Sequence, residues 1–308
     1  MNIDWLKQRS ELSPDREAVK DVFRNKSWTY KQLNERAENL AGYFLSKGVQ
    51  KGSRVCLISQ NDISHLDFLF ACAKIGAIFV PINYRLNLNE IDNIVEDCKP
   101  SVIGLTSSAL ELVSEKLQSC HTIFIDSEEY EYNVNHSNGI TVSFLPSERM
   151  DEAVIIYTSG STGVPKGVVI THDTLIGNCL NTLVSWNLDQ SDCTIVVTPM
   201  CHTSGLFSLA APLLMVGGKV VIQKKFNADE TIRFIKKEKC TIVFMVPTMY
   251  YLMTQSSQFT KENLSSVKAF ISGGAPCQEQ IFSAFEREGL PLKESYGLTE
   301  AGPNNFYL

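Results

Sequence analysis

The hydrophobic pattern changes period repeatedly along the first half of the chain. Apolar residues recur at helical spacing from Leu33 to Phe44, as expected of a helix that buries one face. Short apolar and β-branched runs predict strands at 54–59, 78–82, 101–105, 122–125, 153–157 and 168–170, and further helices at 64–75 and 89–98. Strands that alternate with helices in this way indicate α/β layers with largely parallel sheets.

The same alternation resumes in the second half. It predicts strands at 194–198, 219–223, 241–246 and 268–272, and a helix at 230–239. The intervening segment 127–149 is rich in Glu, Tyr, Asn and Ser and contains the turn signal Asn138-Gly139. We expect a surface hairpin or connector there.

Candidate chemistry begins where the strand 153–157 ends. Residues 157–167 read YTSGSTGVPKG, and glycines, hydroxyls and one ammonium group suit a loop that holds phosphate. Pro165 precedes Lys166 where a Walker motif requires Gly, so the P-loop assignment fails. Because two strands flank the loop, the strand-to-helix arrangement of Rossmann folds is not expected. A plain hairpin turn is the alternative.

Composition narrows the class of protein. The chain has 308 residues, of which 44% are hydrophobic and 20% charged, and a formal charge of −6. These values indicate a globular protein that lacks the basic surface to which nucleic acids bind. The apolar stretches 68–81 and 206–216 are too short or too interrupted to span a bilayer. With no signal peptide and nine cysteines at irregular spacings, we expect a cytoplasmic location and no membrane span.

Three blocks together resemble one family, the AMP-forming adenylating enzymes, which include acyl-CoA synthetases. YTSGSTGVPKG resembles their signature loop, MCHTSG at 200–205 resembles their acyl-pocket motif, and YGLTE at 296–300 resembles their Y-G-x-T-E motif. The order and separation of the blocks also fit. Further similarity extends along the chain from Trp28 to Pro276.

The resemblance implies two similar layered α/β subdomains of αβαβα type. We expect one at about 48–188 and the other at about 10–47 plus 189–308, which together form an incomplete N-terminal AMP-binding domain. The chain stops at Leu308, before the remaining barrel part and the C-terminal domain of the family. Such an end is expected to expose apolar surface and to favour association.

The chemistry implied by the resemblance is attack of a substrate carboxylate on the α-phosphorus of ATP, with loss of pyrophosphate. Coenzyme A then accepts the acyl group from the acyl-adenylate. Positioning and charge neutralisation drive such reactions, and Mg²⁺ needs few protein carboxylates. By carry-over, the phosphates contact Thr158, Ser159, Gly160, Ser161, Thr162, Gly163 and Lys166; adenine contacts Gly274, Ala275, Pro276, Tyr296 and Gly297; Thr299 bonds the α-phosphate; and Glu300 holds Mg²⁺.

The resemblance also implies a pocket for the acid. His202 would orient the carboxylate, and the pocket would be lined by Cys201, Thr203, Ser204, Gly205 and Gly273. Many relatives carry an aromatic residue where this chain has Cys201, so a wider pocket is expected. No carboxylate occurs at 200–204 to pair with an α-ammonium group, which favours a fatty or aryl acid over an amino acid.

Alternatives stay open at this point. His202 can be a core histidine, the Tyr296-Gly297 pair a packed turn, and Glu300 a solvated surface carboxylate. For the whole chain, the alternatives to a weak or inactive synthetase fragment are a nucleotide-binding module without turnover and a non-enzymatic interaction protein derived from the fold. ATP binding without adenylation would distinguish the module, and absence of both would distinguish the interaction protein.

Overall fold

The computed structural model describes residues 4–112, 120–140, 142, 148–158 and 165–307. Helices are interspersed with strands along these residues. The helices are α1 (Trp5–Leu12), α2 (Tyr30–Ser46), α3 (Ser64–Ile75), α4 (Leu88–Cys98), α5 (Glu128–Asn135), α6 (His172–Ser185), α7 (Thr203–Leu206), α8 (Ala210–Val216), α9 (Ala228–Glu238), α10 (Pro247–Thr254), α11 (Lys261–Leu264) and α12 (Glu279–Arg287). Short 3-10 helices occupy Ser107–Leu112 and Thr299–Ala301.

The strands are short, and many are buried along their whole length. They are β1 (Glu17–Asp21), β2 (Lys26–Thr29), β3 (Arg54–Ile58), β4 (Ile78–Ile82), β5 (Val102–Leu105), β6 (His121–Phe124), β7 (Glu152–Thr158), β8 (Lys166–Thr171), β9 (Cys193–Val196), β10 (Lys219–Ile222), β11 (Ile242–Met245), β12 (Ala269–Ser272), β13 (Leu292–Leu298) and β14 (Gly302–Tyr307). Strands buried on both faces read as continuous apolar runs, which explains why the sequence predicts most of them.

The chain divides into two compact units. Unit 1 comprises Met1–Pro14 and Tyr30–Thr174, and unit 2 comprises Asp15–Thr29 and Leu175–Leu308. The sheet of unit 1 has the strand order β6-β5-β3-β4-β7-β8. Its neighbouring strands are parallel, except that β7 and β8 are antiparallel. The predicted succession of strand, helix and strand at 54–82 is therefore present as β3, α3 and β4.

Buried charges join the helices of unit 1. The guanidinium of Arg36 in α2 donates to both carboxylate oxygens of Asp67 in α3, at 3.0 and 2.6 Å. The hydroxyl of Tyr130 in α5 donates to the same carboxylate at 2.8 Å. A buried carboxylate needs such partners, because an uncompensated charge in the core costs several kcal/mol. Three helices are thus fixed to one another by one acidic side chain.

Unit 2 contains two sheets, with strand orders β2-β1-β10-β9 and β11-β12-β13-β14. The strands β11, β12 and β13 are parallel, whereas β14 runs antiparallel to β13. Tyr250 of α10 lies fully buried against this second sheet, and its hydroxyl contacts the carbonyl oxygens of Val243 and Ile271, at 2.9 and 3.1 Å. Its ring packs edge-on against Phe285 of α12. One core of unit 2 lies between these helices and the sheet.

The hairpin or connector predicted at 127–149 is wrong in part, because Glu128–Asn135 form helix α5. Ser127 caps this helix by accepting a hydrogen bond from the backbone N–H of Tyr130. Acidic residues in the first turn favour the same helix through its dipole. The sequence therefore contains a helix-start signal that its polar composition obscures. Residues 141 and 143–147 of the segment lie outside the described residues.

The two units group some residues differently from the two expected subdomains. Helix α2 packs on α3 and α5, so residues 30–47 belong to unit 1, whereas the expected second subdomain contains 10–47. Residues 175–188 belong to unit 2, whereas the expected first subdomain extends to 188. The subdomain boundaries expected from the family, at about 48 and 188, stay predictions.

Candidate functional site

The phosphate-loop residues that the structure describes stand at the end of a hairpin in unit 1. Thr158 ends β7 and pairs with Lys166, which begins β8. Lys166 is exposed and Thr158 is half-buried. The other predicted phosphate ligands, Ser159, Gly160, Ser161, Thr162 and Gly163, lie outside the described residues. The structure thus places one hydroxyl and one ammonium group at the two ends of the predicted loop.

A tyrosine at the base of the loop supports this hairpin. The hydroxyl of Tyr157 donates to the carboxylate of Asp97, near the end of α4. Burial and the hydrogen bond to Asp97 raise the pKa of Tyr157, so the phenol keeps its proton and stays a donor. Sequence reasoning missed Asp97, because an acidic residue near a helix end carries no signal of a partner 60 positions later.

The predicted acyl-pocket motif forms a tight turn after β9 in unit 2. The backbone N–H of His202 donates to the carbonyl of Pro199 at 3.1 Å, and the carbonyl of His202 accepts from the N–H of Gly205 at 3.1 Å, where α7 starts. A Cβ atom on Gly205 would overlap the Pro199 carbonyl group. Only glycine therefore allows this close approach.

The residues of this motif differ in how deeply they are buried. Cys201, Thr203 and Gly205 are buried, whereas His202 and Ser204 are half-buried. A half-buried imidazole differs from one enclosed in the core, and it can meet a ligand without unfolding of the turn. The orienting role of His202 and the pocket-lining roles of the other four residues stay predictions.

Gly273, predicted to line the acid pocket, and residues 274–276, predicted to line adenine, directly follow β12. Gly273 is buried, and a Cβ atom there would lie 2.6 Å from the hydroxyl of Ser295 in β13. The next three residues, Gly274, Ala275 and Pro276, are exposed, and Gly274 has a positive φ of 84°. The segment is therefore a turn that presents its backbone to solvent directly beside β13.

The third block lies mostly in a strand. Tyr296 and Gly297 belong to β13, and Thr299 and Glu300 to the following 3-10 helix. Tyr296 is 57% exposed, and its ring centroid lies 6.1 Å from that of Phe306 in β14. Tyr296 therefore lies in a strand rather than in a turn, and its stacking on adenine stays a prediction.

Close packing fixes the course of this third block. A Cβ atom on Gly297 would overlap the carbonyl group of Pro303, so β13 and β14 approach each other more closely than side chains allow. Asn305 adds side-chain bonds: its Oδ1 accepts from the N–H of Leu298 at 3.3 Å and its Nδ2 donates to the carbonyl of Ala301 at 3.0 Å. Sequence reasoning missed Asn305, although an Asn that soon follows a glycine-containing motif is a candidate turn stabiliser.

Three segments of unit 2 form what we call the carboxyl-edge cluster, which we define as residues 199–205, 273–276 and 295–305. Each segment follows or ends a strand. The two sheets of the unit meet at the starts of β9 and β11, where the N–H of Thr241 donates to the carbonyl of Cys193 at 2.8 Å. Helix α7 contacts β14, which pairs with β13. Ligands of open α/β sheets bind at the carboxyl ends of the strands, so the cluster is the candidate site of unit 2.

Glu300 is the predicted Mg²⁺ ligand, and it is exposed at the end of this cluster. A single accessible carboxylate fits Mg²⁺, which keeps several waters and takes its other ligands from phosphates. No group of three or more His, Cys, Asp or Glu side chains that could hold a metal ion occurs among the described residues. A solvated surface carboxylate is exposed in the same way, so the role of Glu300 as an Mg²⁺ ligand stays a prediction.

Two histidines of unit 1 are buried, His65 and His172. Burial lowers the pKa of His65 to about 4, and the charge of nearby Asp62 offsets only part of this effect. Burial also lowers the pKa of His172, which Asp151 partly offsets. Both imidazoles are therefore neutral near pH 7.

The sequence profile described as AMP-binding enzyme matches residues 6–307, and the chain belongs to this family. Feruloyl-CoA synthase of Amycolatopsis sp is 33% identical over 299 residues, which cover 97% of this chain and 59% of that protein. Indoleacetate–CoA ligase of Aromatoleum aromaticum is 29% identical over 313 residues, covering 99% of this chain and 61% of that protein. The chain thus spans about three fifths of the length of these relatives.

Solved structures agree with this membership. The N-terminal domain of FACL13 from Mycobacterium tuberculosis has a TM-score of 0.92 at 26% identity, with 100% of this chain and 78% of that chain covered. ATP-bound MatB from Rhodopseudomonas palustris has a TM-score of 0.87 at 25% identity, with 100% and 62% covered. The predicted layered α/β fold and the predicted family are both confirmed. None of the described helices is long and apolar enough to cross a membrane.

Proposed function

We propose that this chain takes part in the ATP-dependent activation of a fatty or aryl carboxylic acid, first to an acyl-adenylate and then to an acyl-CoA. The observation that carries the proposal is the carboxyl-edge cluster, in which the acid, adenine and magnesium motifs occupy one edge of unit 2. Family membership and relatives named as CoA ligases support the reaction class.

Within this proposal each residue has a distinct task. Tyr296 stacks on adenine, whose edge lies along residues 274–276, and Thr299 donates to the α-phosphate. His202 orients the acid carboxylate for attack on the α-phosphorus, and pyrophosphate leaves. Thr158 and Lys166 neutralise the β- and γ-phosphates. No side chain has to act as a nucleophile, because positioning and charge neutralisation carry such transfers.

Mg²⁺, held through Glu300, would supply further neutralisation of the phosphate oxygens. Coenzyme A would then take the acyl group from the adenylate. A cytoplasmic location belongs to the same proposal, since both co-substrates are intracellular metabolites. Association through apolar surface is a separate prediction, and light scattering at increasing concentration of the chain would test it.

The relatives give additional support to an aryl acid as the substrate. Their names specify feruloyl, indoleacetate and 2-succinylbenzoate substrates, each of which carries an aromatic ring. The motif 200–204 contains no carboxylate, which disfavours an acid with an α-ammonium group. We therefore expect ferulate-like or indoleacetate-like acids to be better substrates than amino acids.

Carboxylate-dependent ATP–pyrophosphate exchange tests the proposal. The chain is assayed alone and with the C-terminal part of a relative, over a panel of aryl, fatty and amino acids. Exchange with aryl or fatty acids supports the proposal, and dependence on the added part shows that the chain lacks components. ATP binding without exchange in either case would favour a nucleotide-binding module, whereas neither binding nor exchange would favour a non-enzymatic protein.

A further inference from the structure

A buried asparagine lies next to the carboxyl-edge motifs and belongs to none of them. Asn304 of β14 is 5% exposed. Its Nδ2 group donates to the hydroxyl of Thr182 and to the carbonyl of Ser208, both at 2.8 Å. Its backbone N–H donates to Oδ1 of Asn178 at 3.3 Å. Asn304 thus forms hydrogen bonds with two side chains of α6 and with one carbonyl group of the segment that follows α7.

The partners leave a single orientation for this amide. The hydroxyl of Thr182 donates its hydrogen to the carbonyl of Asn178 at 2.9 Å, so toward Asn304 it can only accept. The carbonyl of Ser208 is also only an acceptor. Both contacts therefore require the NH₂ group of Asn304, and a carboxylate or an apolar group cannot replace it without leaving buried polar atoms unbonded.

The bonds of Asn304 reach two of the three motifs. Strand β14 pairs with β13 in the register Tyr296 to Phe306 and Leu298 to Gly302, so the position of β14 sets that of the adenine and magnesium motif. Nδ2 of Asn178 donates to the carbonyl of Phe207 at 2.8 Å. Residues 207 and 208 directly follow α7, which carries the acid motif. A displacement at Asn304 would therefore move both motifs.

We propose that Asn304 is a positioning residue that holds the acid motif 202–205 and the motif 296–300 in fixed relation to each other, through Asn178, Thr182 and Ser208. This inference rests on the proposed function for its catalytic consequence. In that reaction the acid carboxylate must meet the α-phosphorus in line, and a misplacement of about 1 Å can lower the rate by on the order of 100-fold.

The test compares variants of matched size. Thr182→Val removes the acceptor and keeps the shape, whereas Thr182→Ser keeps the hydroxyl. Thr231→Val is the control, because Thr231 is equally buried in unit 2 and its hydroxyl donates to the side chain of Gln223 at 2.9 Å, a residue that belongs to none of the motifs. Asn304→Leu removes both donors at once and serves as the more severe variant.

Amide hydrogen exchange of the chain gives a readout that needs no activity. For Thr182→Val we expect at least roughly tenfold faster hydrogen exchange in both 203–208 and 296–304. We expect near-normal rates for Thr182→Ser and no change in these segments for Thr231→Val. Faster hydrogen exchange in β14 alone, with 203–208 unchanged, would overturn the link between the motifs.

The kinetics of ATP–pyrophosphate exchange, under the conditions found active, then test the catalytic consequence. We expect Thr182→Val to lower kcat roughly tenfold with the KM for ATP within about twofold, and Thr182→Ser to restore kcat. Equal losses for Thr182→Val and Thr231→Val would show a structural role only and overturn the proposal. Absence of activity in the unmodified protein would instead contradict the proposed function, while the hydrogen-exchange result would still decide whether Asn304 links the motifs.

Discussion

The predicted phosphate site of unit 1 and the carboxyl-edge cluster of unit 2 are built in different ways. In the cluster, backbone meets backbone so closely that Gly205 and Gly297 cannot carry a Cβ atom. In unit 1, the atoms nearest to a Cβ on Gly167 would belong to side chains, Ile155 at 2.9 Å and the Tyr157 ring at 3.2 Å, and Lys166 is exposed. The carboxyl-edge cluster therefore tolerates little substitution at these glycines, whereas the predicted phosphate site carries an exposed lysine that contributes little to folding.

The largest effect should come from Gly297→Ala. The added methyl group overlaps the backbone of Pro303, which cannot move without disrupting the pairing of β13 and β14, so we expect a loss of at least about 3 kcal/mol in the free energy of unfolding. Gly167→Ala should cost less than Gly297→Ala, because it meets side-chain atoms rather than backbone. Urea unfolding measures both.

The control for the substitution itself is Gly177→Ala, where no heavy atom of the described residues outside the local helix backbone lies within 4 Å of the new Cβ. This change in α6 should stabilise the protein by up to about 1 kcal/mol. Equal destabilisation by Gly297→Ala and Gly167→Ala would remove the difference between the two regions.

Lys166→Met should have the opposite effect, with little loss of stability and a large loss of activity. Because the ammonium group is exposed, we expect less than about 0.5 kcal/mol change in the free energy of unfolding. ATP–pyrophosphate exchange should fall by on the order of 100-fold, since under the proposed function the variant removes a charge that neutralises the phosphates. Lys225→Met, an exposed lysine outside the motifs, is the matched control and should retain activity. A stable Lys166→Met protein with full exchange would contradict the assignment of Lys166.

Acid should weaken unit 1 through His65. Its pKa is about 4 in the folded protein and 6.5 as the ordinary value, so the unfolded chain binds the proton more readily. Stability is therefore full above pH 6.5 and falls as the pH drops toward 4, by about 2 kcal/mol between roughly pH 7 and pH 4.5. His65→Leu should remove this part of the pH dependence, as measured by urea unfolding at both pH values. An unchanged slope in the variant would show that other groups cause it.

The smallest loss of stability tested by a hydrogen-bond deletion is expected at the base of the β7–β8 hairpin. Tyr157→Phe removes the hydrogen bond to Asp97 and should lower the free energy of unfolding by about 1 kcal/mol. A double-mutant cycle with Asp97→Asn isolates the interaction between the two side chains. Additive single effects would mean that this hydrogen bond does not support the hairpin.

The sequence predicts several elements of unit 1 well, because their cause is local. Helix α3 and strand β4 have the predicted bounds, since a buried apolar run between turn residues is visible in the sequence. Strands β1 and β2, which precede and follow the turn at 22–25, are not predicted. Their position depends on pairing of β1 with β10, which lies about two hundred residues later, and no local pattern encodes that partner.

The same division applies to the candidate site. The motifs themselves are recognisable from residue type and spacing, including Gly205 and Gly297, whose need for close packing is revealed only by the structure. The sequence does not predict a role for Asn304, Asn178 and Thr182. Each is an ordinary polar residue until the fold buries it against the others. Long-range hydrogen bonds between such residues have no signature in a single sequence.

The most direct test of the proposed chemistry follows an oxygen isotope. The acid that supports exchange is labelled with ¹⁸O in its carboxylate and incubated with ATP, Mg²⁺ and coenzyme A, with the chain complemented as the exchange assay requires, and the nucleotide products are analysed by mass spectrometry. Attack of the carboxylate on the α-phosphorus predicts AMP that carries one ¹⁸O atom, together with pyrophosphate and the acyl-CoA. ADP as the nucleotide product, or AMP without label, would contradict the account.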